Sequence, residues 1–408
     1  MPDAARLPPA LRAFAHRDFR LFFAGQLVSL IGTWMQAVAQ SWLVLELTNS
    51  PFRLGLVGTL QFAPVLFLSF LAGALADRLP KRRMLVASQS VMCAQALLLA
   101  ALVYGDHVQY WHVAVMATVY GLANTLDMPT RQAFIVEMVG RESLRSAIAL
   151  NSAMFNAARV VGPALAGLVI ARWGTALAFA FNGLSFLAVI GALLALHAAG
   201  RPRPSTGRSL REEIGEGVRY ALRTPRIALV MSLVMAVSTF FFNYNILVPL
   251  LARDILSQDA HGFGLLMTAV GCGAVAGAIG VASLGTERPP VPVLVASALA
   301  LGAATMLMAG VHRFGVAAAL LVVMGFCGML FMTGANTTVQ LAVPDDLRGR
   351  VMSLHTLMFA GMAPVGAFLV GSVTEALGAR AGFLVTGAGG TVAVLAVALG
   401  WRRDRRPG

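Results

Sequence analysis

The sequence predicts an all-α multi-pass membrane protein with twelve transmembrane helices in two six-helix halves. Hydrophobic residues make up 58% of the chain and charged residues 12%, whereas an ordinary soluble domain has about 25% charged residues. Apolar runs of about 20 residues, the length that crosses a bilayer, recur along the whole chain. One long polar break, residues 198–225, divides these runs into two sets of six. A large soluble domain has no room in such a chain.

The helices are placed by apolar runs that end at charged residues, proline or glycine. They lie near residues 20–46, 54–76, 84–105, 112–138, 147–171 and 175–197, then 226–252, 262–283, 291–310, 314–342, 350–374 and 380–400. We therefore divide the chain into an N-terminal half (1–197), a cytoplasmic linker (198–225) and a C-terminal half (226–408). Within the linker, Ser209 precedes Glu212 by three residues, a capping pattern, and residues 209–223 are predicted to form an amphipathic helix on the membrane face.

The basic residues predict the orientation. Most of the 31 lysines and arginines lie in the loops and tails on the side of the N-terminus, which indicates that both termini are cytoplasmic. Such a protein belongs in the cell (inner) membrane. The net charge of +13 does not indicate nucleic-acid binding, because the charges lie in loops. The three cysteines lie in apolar segments without metal-ligand spacing, so we interpret them as packing residues rather than disulfides or metal ligands. We also expect no cofactor and no metal.

A charged turn, G-A-L-A-D-R-L-P-K-R-R at residues 73–83, follows the second helix. Charged side chains are costly at the bilayer centre, so this cluster marks the return of the chain to water. It acts either as a topology anchor or as a gating loop. The residues assigned to the gating role are Gly73, Asp77, Arg78, Lys81 and Arg82.

Asp127 lies well within the predicted fourth helix, and Arg131 follows at i+4 on the same helix face. The two are expected to form an ion pair that lowers the cost of placing charge in the bilayer. Pro129 between them removes a backbone hydrogen bond and predicts a kink. Asp127 is the candidate protonation site, with Arg131 as its partner. The alternatives are a static structural pair, or a pairing of this helix end with Asp77.

Other polar residues within the helices are candidates for a substrate path. Arg159 has no acid within four residues on its own helix, so it faces a cavity or bonds to backbone carbonyls. The amides expected along the same path are Gln36, Gln40, Asn156, Asn243, Asn245, Asn336 and Gln340, although intramembrane amides also join neighbouring helices. The run from Phe240 to Tyr244 offers aromatic stacking surface, and packing is its alternative role.

The chain resembles the major facilitator superfamily, and within it the branch of bacterial exporters that contains the enterobactin exporter. The residues that carry the resemblance are the loop G-x-x-x-D-R-x-x-K-R at 73–82, F-R-L-F-F-A-G-Q-L-V-S-L-I-G-T-W-M-Q at 19–36, L-D-M-P-T-R-Q-A-F at 126–134 and A-L-N-S-A-M-F-N-A-A-R-V-V-G-P-A-L-A-G at 149–167. A weak internal repeat, E-S-L-R-S at 142–146 and D-D-L-R-G at 345–349, agrees with duplicated halves. The resemblance implies the major facilitator fold.

The resemblance also implies roles for particular residues. Asp77 would sit at the start of the eleventh helix, after Arg350, and latch one conformation. Gly162, Pro163 and Gly167 match the fifth-helix motif of exporters. The chain departs from the pattern at Pro80, where a glycine is usual, and residues 280–287 contain no second copy of the aspartate.

The sequence as a whole favours a secondary active transporter that exports a small amphipathic molecule, siderophore-like or drug-like, by proton-coupled alternating access. Its partners would be that substrate, protons and the lipid bilayer, and it would act as a monomer. The alternative is a facilitator-fold sensor or scaffold without transport. Motifs of metal-dependent, serine-hydrolase and nucleotide-binding enzymes are not found in the sequence, so an enzyme is not expected.

Overall fold

The computed structural model of the chain describes residues 8–198, 210–283, 290–344 and 347–403, and every regular element in these ranges is a helix. The side chains at 70, 74, 77, 141, 210–214, 282–283, 348–349 and 402–403 lie outside this description. The predicted all-α architecture is confirmed.

The described residues form the following helices in chain order. They are a 3-10 helix Pro9–Ala15, then α1 (Arg17–Thr48), α2 (Pro51–Arg78), α3 (Lys81–Tyr104), α4 (Tyr110–Trp173), α5 (Thr175–Ala195), α6 (Leu210–Arg223), α7 (Pro225–Phe240), α8 (Tyr244–Leu250), a π-helical turn Leu251–Ile255, α9 (Ala260–Ser283), α10 (Val291–Met308), α11 (Phe314–Ala342), α12 (Arg348–Ala360) and α13 (Ala363–Arg403).

Ten stretches of the described residues are long and apolar enough to cross a membrane. The number differs from the predicted twelve at two places. The stretch Arg350–Trp401 contains the last two predicted helices, and the predicted fourth helix, 112–138, is not among the ten. That helix forms the first part of α4 and carries Asp127 and Arg131. The multi-pass membrane architecture stands.

At two places where the sequence predicted a loop between helices, the structure has a single glycine in left-handed backbone. Gly140 (φ 68°) lies inside α4, and Gly378 (φ 83°) lies inside α13. An L-residue pays about 1–2 kcal/mol in left-handed backbone, whereas glycine adopts it freely. Each glycine therefore turns the chain within one residue, where the sequence predicted a loop between separate helices.

The predicted seventh helix, 226–252, is interrupted. The chain leaves helical geometry between Phe240 and Tyr244, so that α7 and α8 are separate. Asn243 explains the break, because its Nδ2 donates to the carbonyls of Thr239 (2.9 Å) and Phe240 (3.4 Å) and so supplies the end of α7 with hydrogen bonds.

The chain forms two compact units. Unit 1 contains residues 1–48 and 63–206, and unit 2 contains residues 49–62 and 207–408. The first turns of α2 thus belong to unit 2, while its remainder belongs to unit 1. The division into halves at 197 and 226 stays a prediction.

The core of unit 1 includes part of the N-terminal segment. Ala13 is fully buried, and its N–H donates to Ser146 Oγ at 3.0 Å. Ser146 Oγ in turn donates to the carbonyl of Ala10 at 2.7 Å, and His16 Nε2 lies 3.2 Å from Ser143 Oγ. Ser143 and Ser146 of the E-S-L-R-S segment, which is helical and part of α4, therefore hold the N-terminal 3-10 helix in place.

Helices of unit 2 approach one another closely. A Cβ on Gly325 of α11 would lie 2.1 Å from the carbonyl oxygen of Val270 on α9, so only glycine fits there. The first turns of α2 pack on α13, where Glu375 Oε2 accepts from Ser50 Oγ (2.8 Å) and from the N–H of Phe52 (3.0 Å). The carboxylate thereby caps the start of α2, where backbone N–H groups lack partners within the helix.

Candidate functional site

A buried carboxylate lies at the centre of the candidate site in unit 1. Asp127 on α4 is fully buried, and its Oδ2 lies 2.6 Å from Nη2 of Arg131, so the predicted i, i+4 ion pair forms. Its Oδ1 accepts hydrogen bonds from Ser88 Oγ (3.0 Å) and from Gln89 Nε2 (2.8 Å), both on α3. One cation and two neutral donors therefore surround the carboxylate.

These contacts bear on proton chemistry. Burial disfavours an ionised carboxylate, while the cation and the two donors favour it. Arg131 keeps 18% of its side chain exposed. Protonation of Asp127 would leave Arg131 without its counter-charge. The position of the Arg131 side chain would then depend on whether Asp127 carries a proton. The geometry fits a static pair as well, and the proton-coupling role of Asp127 and Arg131 stays a prediction.

The charged turn between α2 and α3 is anchored by a second ion pair. Lys81, the first residue of α3, is fully buried, and its Nζ lies 2.8 Å from Oε1 of Glu137 on α4. Arg82 donates through Nη2 to the carbonyl of Leu194. These contacts fasten the turn to two other helices of unit 1.

The remaining residues of the predicted gating loop are less constrained. Arg78 is exposed, and a Cβ added at Gly73 would meet no atom within 4 Å. The side chain of Asp77, which carries the predicted latch, lies outside the described residues. The gating role of the loop stays a prediction.

The fifth-helix motif packs against α1. A Cβ on Gly162 would lie 2.4 Å from Cβ of Trp34, so the small residue allows the helices to approach closely. Pro163 and Gly167 are buried on the same helix. The guanidinium carbon of Arg159 lies 5.8 Å from the centre of the Trp34 ring, and Phe155 contacts that ring edge-on at 5.7 Å.

The candidate cavity residues of α1 and α4 make contacts inside unit 1. Gln36 Oε1 accepts from Asn182 Nδ2 at 2.6 Å, and Gln36 Nε2 donates to Gln95 Oε1 at 3.4 Å. Gln40 is buried, and Asn156 donates to the carbonyl of Ser152 at 2.9 Å. Gln36 thus joins α1, α3 and α5. A place on the substrate path stays a prediction for these residues and for Arg159.

The candidate residues of unit 2 are at the break between α7 and α8 and on α11. Asn243 caps α7, and the Oδ1 atom of Asn245 is buried without a hydrogen-bond partner in the described part of the chain. On α11, Gln340 Nε2 donates to Asn336 Oδ1. A substrate-binding role for these four also stays a prediction.

Aromatic rings surround the start of α8. The ring of Phe242 lies 6.1 Å from that of Tyr244 and 5.7 Å from that of Phe359 on α12, both in edge-on geometry. Phe241 is buried instead and packs near Gly302 and Gly390. Of the predicted stacking residues, Phe241 therefore packs in the interior, whereas Phe242 and Tyr244 contact each other at the break between α7 and α8.

Sequence reasoning missed Ser88, Gln89 and Glu137. Ser88 and Gln89 were detectable as adjacent polar residues within the apolar run 84–105. Glu137 lies near the predicted end of the fourth helix, where a charged residue is ordinary. In the part of the chain that the structure describes, no cluster of His, Cys, Asp or Glu has the arrangement of a metal site.

Residues 9–403 match a family described as transmembrane secretion effectors. The multidrug efflux pump Tap of Mycobacterium tuberculosis is 30% identical over 380 residues, which cover 90% of this chain and 89% of that protein. The staphyloferrin A transporter of Staphylococcus aureus is 25% identical over 378 residues, covering 90% of this chain and 92% of that protein.

Solved structures share the fold. An inward-facing bacterial homologue of the human lysosomal transporter Spinster superposes with a TM-score of 0.76 and 12% identity, over 96% of this chain and 98% of that one. The nucleoside transporter NupG superposes with a TM-score of 0.75 and 12% identity, over 94% and 98% of the two chains.

Proposed function

The chain belongs to the transmembrane secretion effector family of the major facilitator superfamily, and on that premise we propose that it exports a small amphipathic molecule by proton-coupled alternating access. Like the members of its family, it is a membrane transporter and not an enzyme. The proton coupling, the substrate class and the direction of transport are the parts that we propose.

Proton coupling is proposed for Asp127. In unit 1 this carboxylate combines complete burial with a cation at 2.6 Å and two neutral donors. Intramembrane carboxylates of this kind are costly and commonly belong to ion or proton pathways. A proton on Asp127 would neutralise the acid and release Arg131, whose side chain is 18% exposed. The complete burial of Asp127 together with its contacts to Arg131, Ser88 and Gln89 is the observation that carries the proposal.

The substrate is proposed to be siderophore-like or drug-like. Support comes from relatives whose names state multidrug efflux, staphyloferrin A transport and macrolide efflux. Arg159 would favour an anionic or polyphenolic group, and the aromatic rings near Phe242 would favour flat apolar groups. These substrates share an amphipathic character.

The topology is proposed from the distribution of basic residues. Both termini lie in the cytoplasm, the protein resides in the cell (inner) membrane, and it works as a monomer. Accessibility labelling of single cysteines placed at Arg12 and Arg313 tests the orientation, since the proposal puts them on opposite sides. Labelling of both from the same side of intact cells would contradict it.

Transport is tested with purified protein in liposomes under an imposed proton gradient. Two probes, cationic ethidium and an anionic catecholate siderophore, separate the substrate classes. Asp127→Asn should reduce proton-driven flux to the level of protein-free liposomes, because the amide keeps hydrogen bonds to α3 but cannot be protonated near neutral pH. The matched control is Asp254→Asn, since Asp254 also pairs with an arginine, Arg253, at 2.7 Å but is partly exposed.

The outcomes are distinct. Wild-type flux that persists at full rate without a gradient contradicts the coupling. Full proton-driven flux in Asp127→Asn removes this residue from the mechanism. Wild-type protein that moves neither probe nor any drug of a wider panel favours the sensor or scaffold alternative.

A further inference from the structure

The linker helix α6 is docked on α12 within unit 2. Arg350 Nη1 lies 2.5 Å from Oε2 of Glu216, and a Cβ at Gly217 would lie 3.1 Å from Cβ of Arg350. Tyr220 Oη lies 3.5 Å from the carbonyl of Ala342 at the end of α11. These contacts determine which face of α6 is covered by protein. They also neutralise the charge of Glu216.

The opposite face of α6 is exposed and mixes positive charge with an apolar side chain. Gly217 and Ala221 are buried, whereas Arg219 and Arg223 are exposed and Leu222 keeps 73% of its surface accessible. Ala221 and Leu222 are adjacent apolar residues, and the docking of α6 buries the first and leaves the second exposed. Arg219 and Arg223 stand at i and i+4, so their side chains are neighbours on the helix surface.

This face lies next to the point where the chain enters a membrane span. Only Thr224 separates α6 from α7, and its carbonyl accepts from the N–H groups of Ile227 (2.9 Å) and Ala228 (3.0 Å). The stretch that begins at Pro225 is one of the membrane-crossing candidates. Leu222 lies three residues before this stretch, so a span that begins at Pro225 would put its side chain close to the lipid headgroups.

A third arginine lies just beyond the turn. Arg226 is in the first turn of α7 and partly exposed, and its Nε atom is buried without a hydrogen-bond partner among the described residues. Three arginines therefore lie within the eight residues from Arg219 to Arg226, where α6 leads into α7.

We propose that Arg219, Arg223 and Arg226 bind the headgroup phosphate of an anionic phospholipid, while Leu222 inserts beside its acyl chains. Guanidinium groups suit phosphate because their planar donors match its oxygens in pairs. A neutral lipid has no net negative charge to balance these three guanidinium groups, and free phosphate would offer no apolar partner for Leu222. The site is separate from the Asp127 cluster in unit 1 and does not depend on the proposed transport.

The binding is tested on purified full-length protein in a neutral detergent. Short-chain phosphatidylglycerol, short-chain phosphatidylcholine and inorganic phosphate are titrated separately while the midpoint of thermal unfolding is measured. A ligand that binds only the folded state raises the midpoint with concentration. We expect phosphatidylglycerol to raise it, and the other two to leave it unchanged within the same range.

The variants locate the site. The double substitution R219Q/R223Q should weaken the apparent affinity for phosphatidylglycerol about 25-fold, because each arginine near an anionic headgroup contributes about fivefold. Leu222→Asn should weaken it several-fold. The matched control R172Q/R313Q removes two arginines that are exposed elsewhere, and it should bind as the wild type does.

Each contrary result overturns the proposal. An equal midpoint shift with phosphatidylcholine excludes headgroup recognition, and an equal shift with inorganic phosphate shows a simple anion site. An equal loss in the control double variant shows a general charge effect. Should R219Q/R223Q fail to fold, R219K/R223K retains the charge but not the paired donors, and unchanged affinity in both R219K/R223K and Leu222→Asn contradicts the site.

Discussion

Substitution of Glu137 by glutamine tests the ion pair that anchors the charged turn. The change removes the negative charge 2.8 Å from the ammonium of Lys81, whose side chain is fully buried while Glu137 is 26% exposed. Removing one partner of a buried pair costs about 3–5 kcal/mol, because a charge is left in a poorly solvating environment. Glutamine still accepts a hydrogen bond, so we expect about 3 kcal/mol for Glu137→Gln.

Because Lys81 is buried more completely than Glu137, the two single substitutions should lower the free energy of unfolding by different amounts. Lys81→Met removes the buried charge and leaves Glu137, which water reaches, so we expect a loss of only about 1 kcal/mol. The double variant K81M/E137L should be near the wild type, since an apolar pair of similar size has no charge to desolvate. The order of stability is therefore wild type and double variant, then Lys81→Met, then Glu137→Gln.

The assay is the free energy of unfolding from denaturant titration of the purified protein in detergent, followed by tryptophan fluorescence. Chromatographic monodispersity is the control for folding of each variant. A loss in Lys81→Met that equals or exceeds the loss in Glu137→Gln would refute the reasoning from burial. A double variant as unstable as the worse single variant would show that the pair positions the turn in ways that apolar packing cannot replace.

Two further predictions concern helix packing in each unit. Gly325→Ala should cost about 2–3 kcal/mol, because the added Cβ would lie 2.1 Å from the carbonyl oxygen of Val270 and force the helices apart. Gly191→Ala is its control, since nothing lies within 4 Å of a Cβ there, and it should be neutral or slightly stabilising. Asn182→Leu should cost about 1 kcal/mol by removing the donor to Gln36, and the unfolding titration checks all three. Equal losses in the two glycine variants, or an Asn182→Leu variant more stable than the wild type, would contradict these assignments.

The helical architecture was predictable from the sequence, but the form and the position of its interruptions were not. Apolar run length indicates how many times a chain crosses a bilayer, and this held for most helices. The turn at Gly140 was expected as a loop, because nothing local distinguishes a glycine in left-handed backbone from one in a helix. The break before Tyr244 was expected as continuous helix, because a single amide, Asn243, competes for the carbonyls of α7.

The candidate site was predictable only where its residues are close in the chain. Asp127 and Arg131 are one helical turn apart, so their spacing alone predicts that they meet. Ser88 and Gln89 reach Asp127 from a position about forty residues earlier, and this contact depends on how α3 packs on α4. In the sequence Glu137 is an ordinary acid near a helix end, and only the structure shows that it pairs with the buried Lys81.

The sequence by itself determined the class of the protein: an all-α membrane transporter, with an acid and an arginine placed one helical turn apart. Hydrophobic run length, charge placement and i, i+4 spacing are local properties, and the bilayer and the helix convert them directly into structure. Only the tertiary structure decided which polar groups surround Asp127, that α2 contributes to both units, and that α6 buries Ala221 but exposes Leu222. These depend on contacts between residues far apart in the chain, whose energies no local pattern encodes.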